Sequence, residues 1–384
     1  MANDKLKNEP IRVVVTGGHY TPALAAIEAL KRRGNFEFYW IGHQHSFGDK
    51  GLMSPEYRAV ARLGIPFFDL QAGKLYGVCS LRELIKVPFG FFHAFYLLLK
   101  IRPRLIISFG GYLAAPVVLA GFLLRIPSVT HEQTTVSGWA NRFIGRLSKK
   151  VFISWKQSAR FFPRGNVVLT GNPLRKAIFE TKGKRFRFSN RLPAVYITGG
   201  KQGAHIINEA VRNSLSEFLE HYNVIHQVGD AGEHQDYQRI MVLRGQLPER
   251  LRKRYVIQPY FGEDEIGAVF KAADIIVGRS GANTVTEAAA LGKPAIFIPI
   301  PWVSHDEQTK NAQLLEEIGA AIIIPQEKLS PDSLLEALYK IASDFEEYQK
   351  RAGEAKKLVD LSAADRIAEE IMPLFGFEAD GAGC

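Results

Sequence analysis

The sequence has only two cysteines among its 384 residues, Cys79 and the terminal Cys384. That excludes a disulfide framework and a CxxC metal knuckle, and it suits a reducing compartment. Long apolar runs are missing as well. The longest, Val87 to Leu99, covers 13 residues and contains Pro88, Gly90 and His93, well short of the roughly 20 needed to cross a bilayer. The polar start MANDKLKNEP lacks the apolar core of a signal peptide, so a cytoplasmic protein is expected. No Asp-x-Asp pair follows a strand-like segment, and Glu263-Asp264-Glu265 reads as a helix start. The chain is therefore expected to need no metal and no cofactor.

What is present is a soluble, globular composition, 46% hydrophobic and 23% charged, long enough for two domains. Lys and Arg number 49 against 39 Asp and Glu, a formal charge of +10. That surplus points to anionic partners such as nucleotides or phospholipid headgroups. No nucleic-acid recognition module accompanies it, so no nucleic acid is expected.

Short β-branched runs alternate with helix-period segments, the pattern of parallel sheets with crossover helices. The first series of strands is predicted at Ile11–Val15, Glu37–Ile41, Leu105–Phe109, Ser128–Thr130, Val151–Ile153 and Val167–Leu169. The second is predicted at Val195–Thr198, Val224–Val228, Tyr255–Ile257, Ile275–Val277, Ala295–Ile298 and Ala321–Ile324. The basic stretch Lys182–Arg191 between them reads as a linker. Each series opens with a strand and a Gly-Gly turn, VVVTGGHYTPAL and VYITGGKQGAHI. The predicted fold is thus α/β, with two Rossmann-like doubly wound domains facing across a cleft that takes the ligand. The expected domains are residues 1–180 and 181–354. A closing helix, Ala355–Leu374 within 355–384, is expected to pack back toward the first domain.

The segment RSGANTVTEAAALG, residues 279–292, follows the strand IIV. Ser280, Gly281 and Ala282 are small residues at a helix start, where free N–H groups and the helix dipole favour a phosphate. Glu287 lies four residues after Asn283, placed to accept from two ribose hydroxyls; a capped surface helix is the plainer alternative. Gln308 and Asn311 in HDEQTKN share a helix face and suit the reading of sugar hydroxyls, though a helix start capped by Ser304 or Asp306 explains them equally well. In the first half, Thr16-Gly17-Gly18-His19 precedes Thr21-Pro22, read as an N-cap and a first-turn proline. His19, at a strand's carboxyl edge, is a candidate general base if neutral, and a histidine hydrogen-bonded for structural reasons is the equal alternative. Gly110-Gly111-Tyr112 forms a second glycine turn, and His131-Glu132-Gln133 ends another strand, where the trio either lines the cleft or satisfies loop backbone groups. Residues 81–104 combine Leu84, Ile85, Phe89 and Phe92 with Lys86, Lys100 and Arg102, a pattern for docking on an anionic membrane surface or for a core helix.

Together these residues resemble the MurG family, bacterial lipid I N-acetylglucosaminyltransferases of glycosyltransferase family 28. The matching pieces run in order: TGGHYTPAL from residue 16, GGY at 110–112, HEQ at 131–133 and GNPLR at 171–175. They continue with GGKQGAHIIN at 199–208, HQVG at 226–229, RSGANTVTE at 279–287 and HDEQTKNA at 305–312. The resemblance implies a GT-B fold and an inverting, metal-independent transfer of N-acetylglucosamine from UDP-N-acetylglucosamine to the 4-hydroxyl of the muramyl sugar of lipid I, a polyprenyl-diphosphate-linked acceptor. The product is lipid II, for peptidoglycan and cell-wall synthesis, made at the cytoplasmic face of the cell membrane. For the donor it implies Ser280, Gly281, Ala282, Asn283 and Thr284 at the diphosphate and Glu287 at the ribose. Gln308 and Asn311 are expected at the sugar, and Arg175, Lys201 and Thr134 nearby. Thr16, Gly17 and Gly18 join these donor residues, and the same turn with Gly110–Tyr112 is expected to take the acceptor's diphosphate. His131, Glu132 and Gln133 are assigned to the acceptor, His19 to the base and the 81–104 segment to the membrane.

This chain departs from the family pattern at four places. Val14 and Val15 replace the first two glycines of GGTGGH, Thr134 an asparagine, Lys201 a serine or asparagine, and Ala114-Ala115 a polar residue and a glycine. Competing expectations are a GT-B transferase acting on another lipid such as diacylglycerol, a UDP-sugar 2-epimerase, and a non-catalytic UDP-sugar-binding partner. The amides of 299–312 oppose the epimerase, which needs carboxylates around the sugar.

Overall fold

A computed structural model describes residues 9–46, 49–73, 81–181, 186–229 and 234–377. Both cysteines lie outside the described residues, as do the side chains of Leu84, Ile85 and Lys86. The chain divides into two compact units, residues 1–175 with 360–384, and residues 176–359.

The first unit is built on β1 (Ile11–Thr16), β2 (Phe36–Gly42), a two-stranded antiparallel ribbon of β3 (His45–Ser46) and β4 (Asp49–Met53), and β5 (Phe67–Asp69). Then come β6 (Leu105–Ser108), β7 (Ser128–Glu132), β8 (Lys150–Ile153) and β9 (Val167–Leu169). Seven strands form one parallel sheet in the order β5-β2-β1-β6-β7-β8-β9. Its helices are α1 (Tyr20–Lys31), α2 (Pro55–Arg62), α3 (Leu81–Ile101), α4 (Ala114–Leu123) and α5 (Trp139–Leu147). Strand alternation sends Val13 and Val15 into a core with Ala26, Ile27 and Leu30 of α1. Val14 enters a second core with Leu97, Leu98 and Val117 from α3 and α4. Both faces are thus covered, as a parallel sheet requires.

The second unit carries β10 (Ala194–Thr198), β11 (Asn223–Gln227), β12 (Tyr255–Gln258), β13 (Ile275–Gly278), β14 (Ala295–Phe297) and β15 (Ala321–Ile323). They form a parallel sheet in the order β12-β11-β10-β13-β14-β15. Its helices are α6 (His205–Asn213), α7 (Leu215–His221), α8 (Asp236–Gln246), α9 (Glu249–Arg252), α10 (Ile266–Ala272), α11 (Ala282–Leu291), α12 (Glu307–Glu316), α13 (Pro331–Ser343) and α14 (Phe345–Ala355). In both sheets the order turns back at the first strand, and that strand's carboxyl end is where such folds bind ligands.

Three expectations need correction. Helix α1 begins at Tyr20, with His19 at the N-cap and no side-chain cap, so Thr21 and Pro22 lie inside its first turn. The predicted linker packs within the second unit among its described residues. Asn190 and Asn223 exchange hydrogen bonds of 2.9 and 2.8 Å, and Phe186 meets Phe261 edge-on at 5.6 Å. The single closing helix is broken. After α14 the backbone extends at Val359, and Asp360 turns it by accepting from the Ser362 N–H and hydroxyl at 2.8 and 2.6 Å. Helix α15 (Ala363–Ile371) then packs on α1 in the first unit, where Asp365 and Glu369 pair with Arg32 and Arg33.

Candidate active site

In the first unit, the turns after β1 and β6 are laced together. Phe109 N–H donates to the Thr16 carbonyl at 2.8 Å, and Gly18 N–H to that of Gly110 at 3.1 Å. The approach is too close for side chains: at Gly17, with φ of +130°, a Cβ would lie 2.7 Å from the Phe109 carbonyl carbon. Gly111 is also left-handed, and the space over it reaches the Gly18 nitrogen. The fully buried Thr16 hydroxyl finds no partner among the described residues. His19 stands beside this turn. It is exposed yet recessed among protein atoms, and desolvation there lowers its pKa to about 4. Its accessible face weakens that effect without reversing it, so the ring is neutral at pH 7.

Strand β7 delivers His131, Glu132 and Gln133, all buried. His131 Nε2 is 3.0 Å from the Gly171 carbonyl and 3.3 Å from Ser154 Oγ. Burial lowers its pKa to about 4. Glu132 accepts from Thr134 N–H at 3.1 Å, Thr134 Oγ1 at 2.8 Å and Asn141 Nδ2 at 2.8 Å. Burial raises its pKa against those bonds. Glu132 and Thr134 therefore brace their own loop, while His131 ties the end of β7 to the segments at Ser154 and Gly171. Between Glu132 and Thr134, Gln133 carries a buried Oε1 with no partner among the described residues. Tyr112 is half-buried, 6.2 Å from the His43 ring, and Arg175 is half-buried at the unit's end.

In the second unit, β13 ends at Gly278 and leads through Arg279 and Ser280 to α11, whose N-cap is Gly281. Asn283 and Thr284 lie half-exposed on the first turn, while Glu287 is buried one turn on. Ser280 Oγ is fully buried and has no partner among the described residues. Arg279 bridges to the next strand's end, donating to the Ile298 carbonyl at 3.0 Å and to Gln326 Oε1 at 2.7 Å. Burial lowers its pKa to about 10, which leaves it charged at neutral pH. Helix α12 lies alongside. Asn311 Nδ2 donates to the Ser280 carbonyl at 3.4 Å, and Gln308 Oε1 accepts from Ile300 N–H at 3.1 Å. The turn into α12 is strained, with left-handed His305 and Asp306 at φ of +58° and +54°. The N-terminal N–H groups of α11, Glu287 and the two amides thus belong to one contiguous region.

The turn after β10 is the other anchored loop. Gly200 and Gly203 are left-handed, and a Cβ on Gly203 would collide with the Val228 carbonyl. Lys201 holds its ammonium 5.3 Å from the Tyr260 ring centre. Two buried amides secure the surroundings, and sequence reasoning assigned neither a role although both fall in the matched segments. Gln227 bonds to Thr198, Gly200 and Phe261. Asn208 Nδ2 donates to the Val228 carbonyl at 3.0 Å and Asp236 Oδ2 at 2.8 Å, so its Oδ1 accepts from His226 Nε2 at 3.1 Å. That bond fixes the tautomer, leaving Nδ1 to accept from the Tyr255 hydroxyl at 2.8 Å.

On the outer face of α3, Phe89, Phe92, Tyr96 and Leu99 expose 55%, 67%, 60% and 51% of their surface. Lys100 and Arg102 are exposed at its end. This face is not core.

The N-terminal domain of glycosyltransferase family 28 matches residues 13–153 and its C-terminal domain residues 194–369. A UDP-N-acetylglucosamine--N-acetylmuramyl-(pentapeptide) pyrophosphoryl-undecaprenol N-acetylglucosamine transferase of Treponema denticola is 32% identical over 360 residues, 91% of each chain. The transferase of the same description from Lachnoclostridium phytofermentans is 34% identical over 349 residues, 88% of this chain and 92% of its own. The crystal structure of Acinetobacter baumannii MurG superposes with a TM-score of 0.68 at 26% identity, covering 95% of this chain and all of that one.

Proposed function

The chain belongs to glycosyltransferase family 28, and from that membership we propose that it transfers N-acetylglucosamine from UDP-N-acetylglucosamine to N-acetylmuramyl-(pentapeptide) pyrophosphoryl-undecaprenol. The observation that carries the reading is the start of α11. There a buried Ser280 hydroxyl, with no partner among the described residues, adjoins the N-terminal turn of the helix, with buried Glu287 one turn on and Asn311 bonded to the Ser280 carbonyl. That set suits a diphosphate next to a ribose and a sugar.

In the reaction, the muramyl 4-hydroxyl attacks the anomeric carbon from the side opposite UDP. The new C–O bond forms as the bond to the diphosphate oxygen breaks, so the configuration inverts. The hydroxyl proton passes to neutral His19. UDP leaves with its added negative charge met by the α11 N–H groups, Lys201 and Arg175. Glu287 holds the ribose, and Gln308 with Asn311 holds the sugar. On the acceptor side, the Thr16–His19 and Gly110–Tyr112 turns take the diphosphate, while the open amide oxygen of Gln133 accepts from an N–H or hydroxyl of the muramyl group.

The acceptor's lipid brings the enzyme to the cytoplasmic face of the membrane as a peripheral protein. No helix of the described residues is long and apolar enough to cross a membrane. The exposed apolar stripe of α3, flanked by Lys100 and Arg102, fits docking on an anionic surface.

The test is purified protein with radiolabelled UDP-N-acetylglucosamine and a panel of lipid-linked acceptors, with and without chelator. Transfer to the muramyl-diphosphate lipid, unaffected by chelator, is expected. Transfer to diacylglycerol instead would overturn the acceptor, and loss on chelation would overturn the metal-independent mechanism.

A further inference from the structure

Gln227 is buried at the end of β11, and both ends of its amide are engaged by protein groups. All three bonds it makes join segments distant in sequence. Its Nε2 donates to Thr198 Oγ1 at 3.1 Å and to the Gly200 carbonyl at 3.0 Å. Its Oε1 accepts from Phe261 N–H at 3.1 Å. One side chain thus bolts the turn after β10 to the loop after β12. Lys201 follows the first anchored residue of that turn, Tyr260 precedes the anchored Phe261, and the ammonium lies over the phenol ring. A cation held on an aromatic face loses little freedom when an anion arrives, because its position is already set.

We infer that Gln227 is a positioning residue that presets Lys201 against Tyr260 as a cationic clamp for the nucleotide diphosphate. The inference rests on the donor role given to Lys201 above. Only an amide serves at this position. Two acceptors, Thr198 Oγ1 and the Gly200 carbonyl, face one amide end, and one donor, Phe261 N–H, faces the other. Glutamate would set a carboxylate against the Gly200 carbonyl, and methionine would leave all three groups without their bond.

The experiment is a double-mutant cycle of Gln227→Met and Lys201→Ala, read as donor KM, kcat and UDP dissociation constant, with circular dichroism and melting as folding controls. Gln227→Met is expected to raise donor KM and UDP Kd by about ten-fold, in keeping with the net worth of lost buried hydrogen bonds, with kcat at saturating donor within about two-fold. In the Lys201→Ala background the same change should have little further effect. Equal effects in both backgrounds, or unchanged KM and Kd in folded Gln227→Met, would overturn the inference. Hydrogen exchange of the unliganded protein gives a reading free of the nucleotide. Gln227→Met, which removes all three bonds, should speed exchange in residues 200–203 and 260–262 together, and a change confined to one loop would equally refute the bolt. A wild-type protein that binds no UDP would refute the functional reading instead, leaving the exchange result to decide this one.

Discussion

The side-chain oxygen of Gln308 accepts from the main-chain N–H of Ile300 at 3.1 Å, which commits that oxygen to the loop after β14. The NH2 end is the donor left for a sugar. Gln308→Glu keeps the bond to Ile300 and removes only the donor, so the loop should survive while sugar recognition suffers. We expect KM for UDP-N-acetylglucosamine to rise about ten-fold or more, the scale of one to two kcal/mol for a lost bond. Affinity for UDP alone, which lacks the sugar, should hardly move. Calorimetry with both ligands reads the contrast, and parallel loss of both affinities would place Gln308 elsewhere.

Glu287 is expected at the ribose. Its replacement by alanine should weaken UDP binding by roughly 1–3 kcal/mol, as charge-assisted hydrogen bonds are lost. Titration of UDP into folded Glu287→Ala gives the value. Wild-type affinity would remove the residue from the donor site.

The backbone frame of this candidate site was legible in the chain, because small residues at a strand-to-helix turn constrain the backbone locally. The strands were legible for the same reason, as β-branched runs between glycines. The edge strand Phe67–Asp69 escaped: it has three residues and follows Pro66, too short for alternation to register. The broken end of the closing helix also escaped, since the turn at Asp360 rests on bonds to Ser362 rather than on a glycine or proline. Gln227 and Asn208 could not be assigned a role from spacing. Gln227's partners lie 27 to 34 residues away, and only the folded sheet brings them together.

Glu56 gives a pH prediction. It is buried on α2, takes a hydrogen bond from Trp40 Nε1, and fills the space a side chain at Gly42 would need. Burial raises its pKa to about 7. A carboxyl whose folded pKa exceeds its unfolded value carries no penalty below about pH 4.5. The cost of charging it grows as pH rises toward 7 and then levels, at about 3 kcal/mol for a shift of this size. Glu56→Gln should therefore gain stability over wild type progressively from pH 4.5 to 7. Urea melts across that range test it, and a constant difference would show that Glu56 stays charged.

The buried histidines act in the opposite sense. His131 and His226 have pKa values lowered by burial to about 4 and about 3, below the ordinary 6.5. The unfolded chain binds their protons first, so the stability they confer is full above pH 6.5. It falls as pH drops toward those values, by roughly 3–5 kcal/mol each at the limit. His131→Gln, which can still donate to the Gly171 carbonyl, should lose less stability than wild type between pH 6.5 and 4. An equal acid slope in both proteins would mean that His131 is charged when folded.

On the reading proposed above, the outer face of α3 carries the protein to its acceptor. Phe89, Phe92, Tyr96 and Leu99 recur at helical spacing on one side, all more than half exposed, and water is a costly neighbour for that much apolar surface. Replacing Phe89 and Phe92 with serine should leave melting temperature and UDP binding near wild type, because neither ring is in a core. Binding to vesicles containing an anionic phospholipid should fall sharply, since the loss removes two of the four exposed apolar side chains while keeping Lys100 and Arg102. Those two cations contribute about 1 kcal/mol each near such a surface, so residual binding should vanish as salt is raised. Flotation of wild type and variant with anionic and with neutral vesicles separates the contributions. If the double variant still floats with neutral vesicles, the apolar anchor lies on another face of the protein.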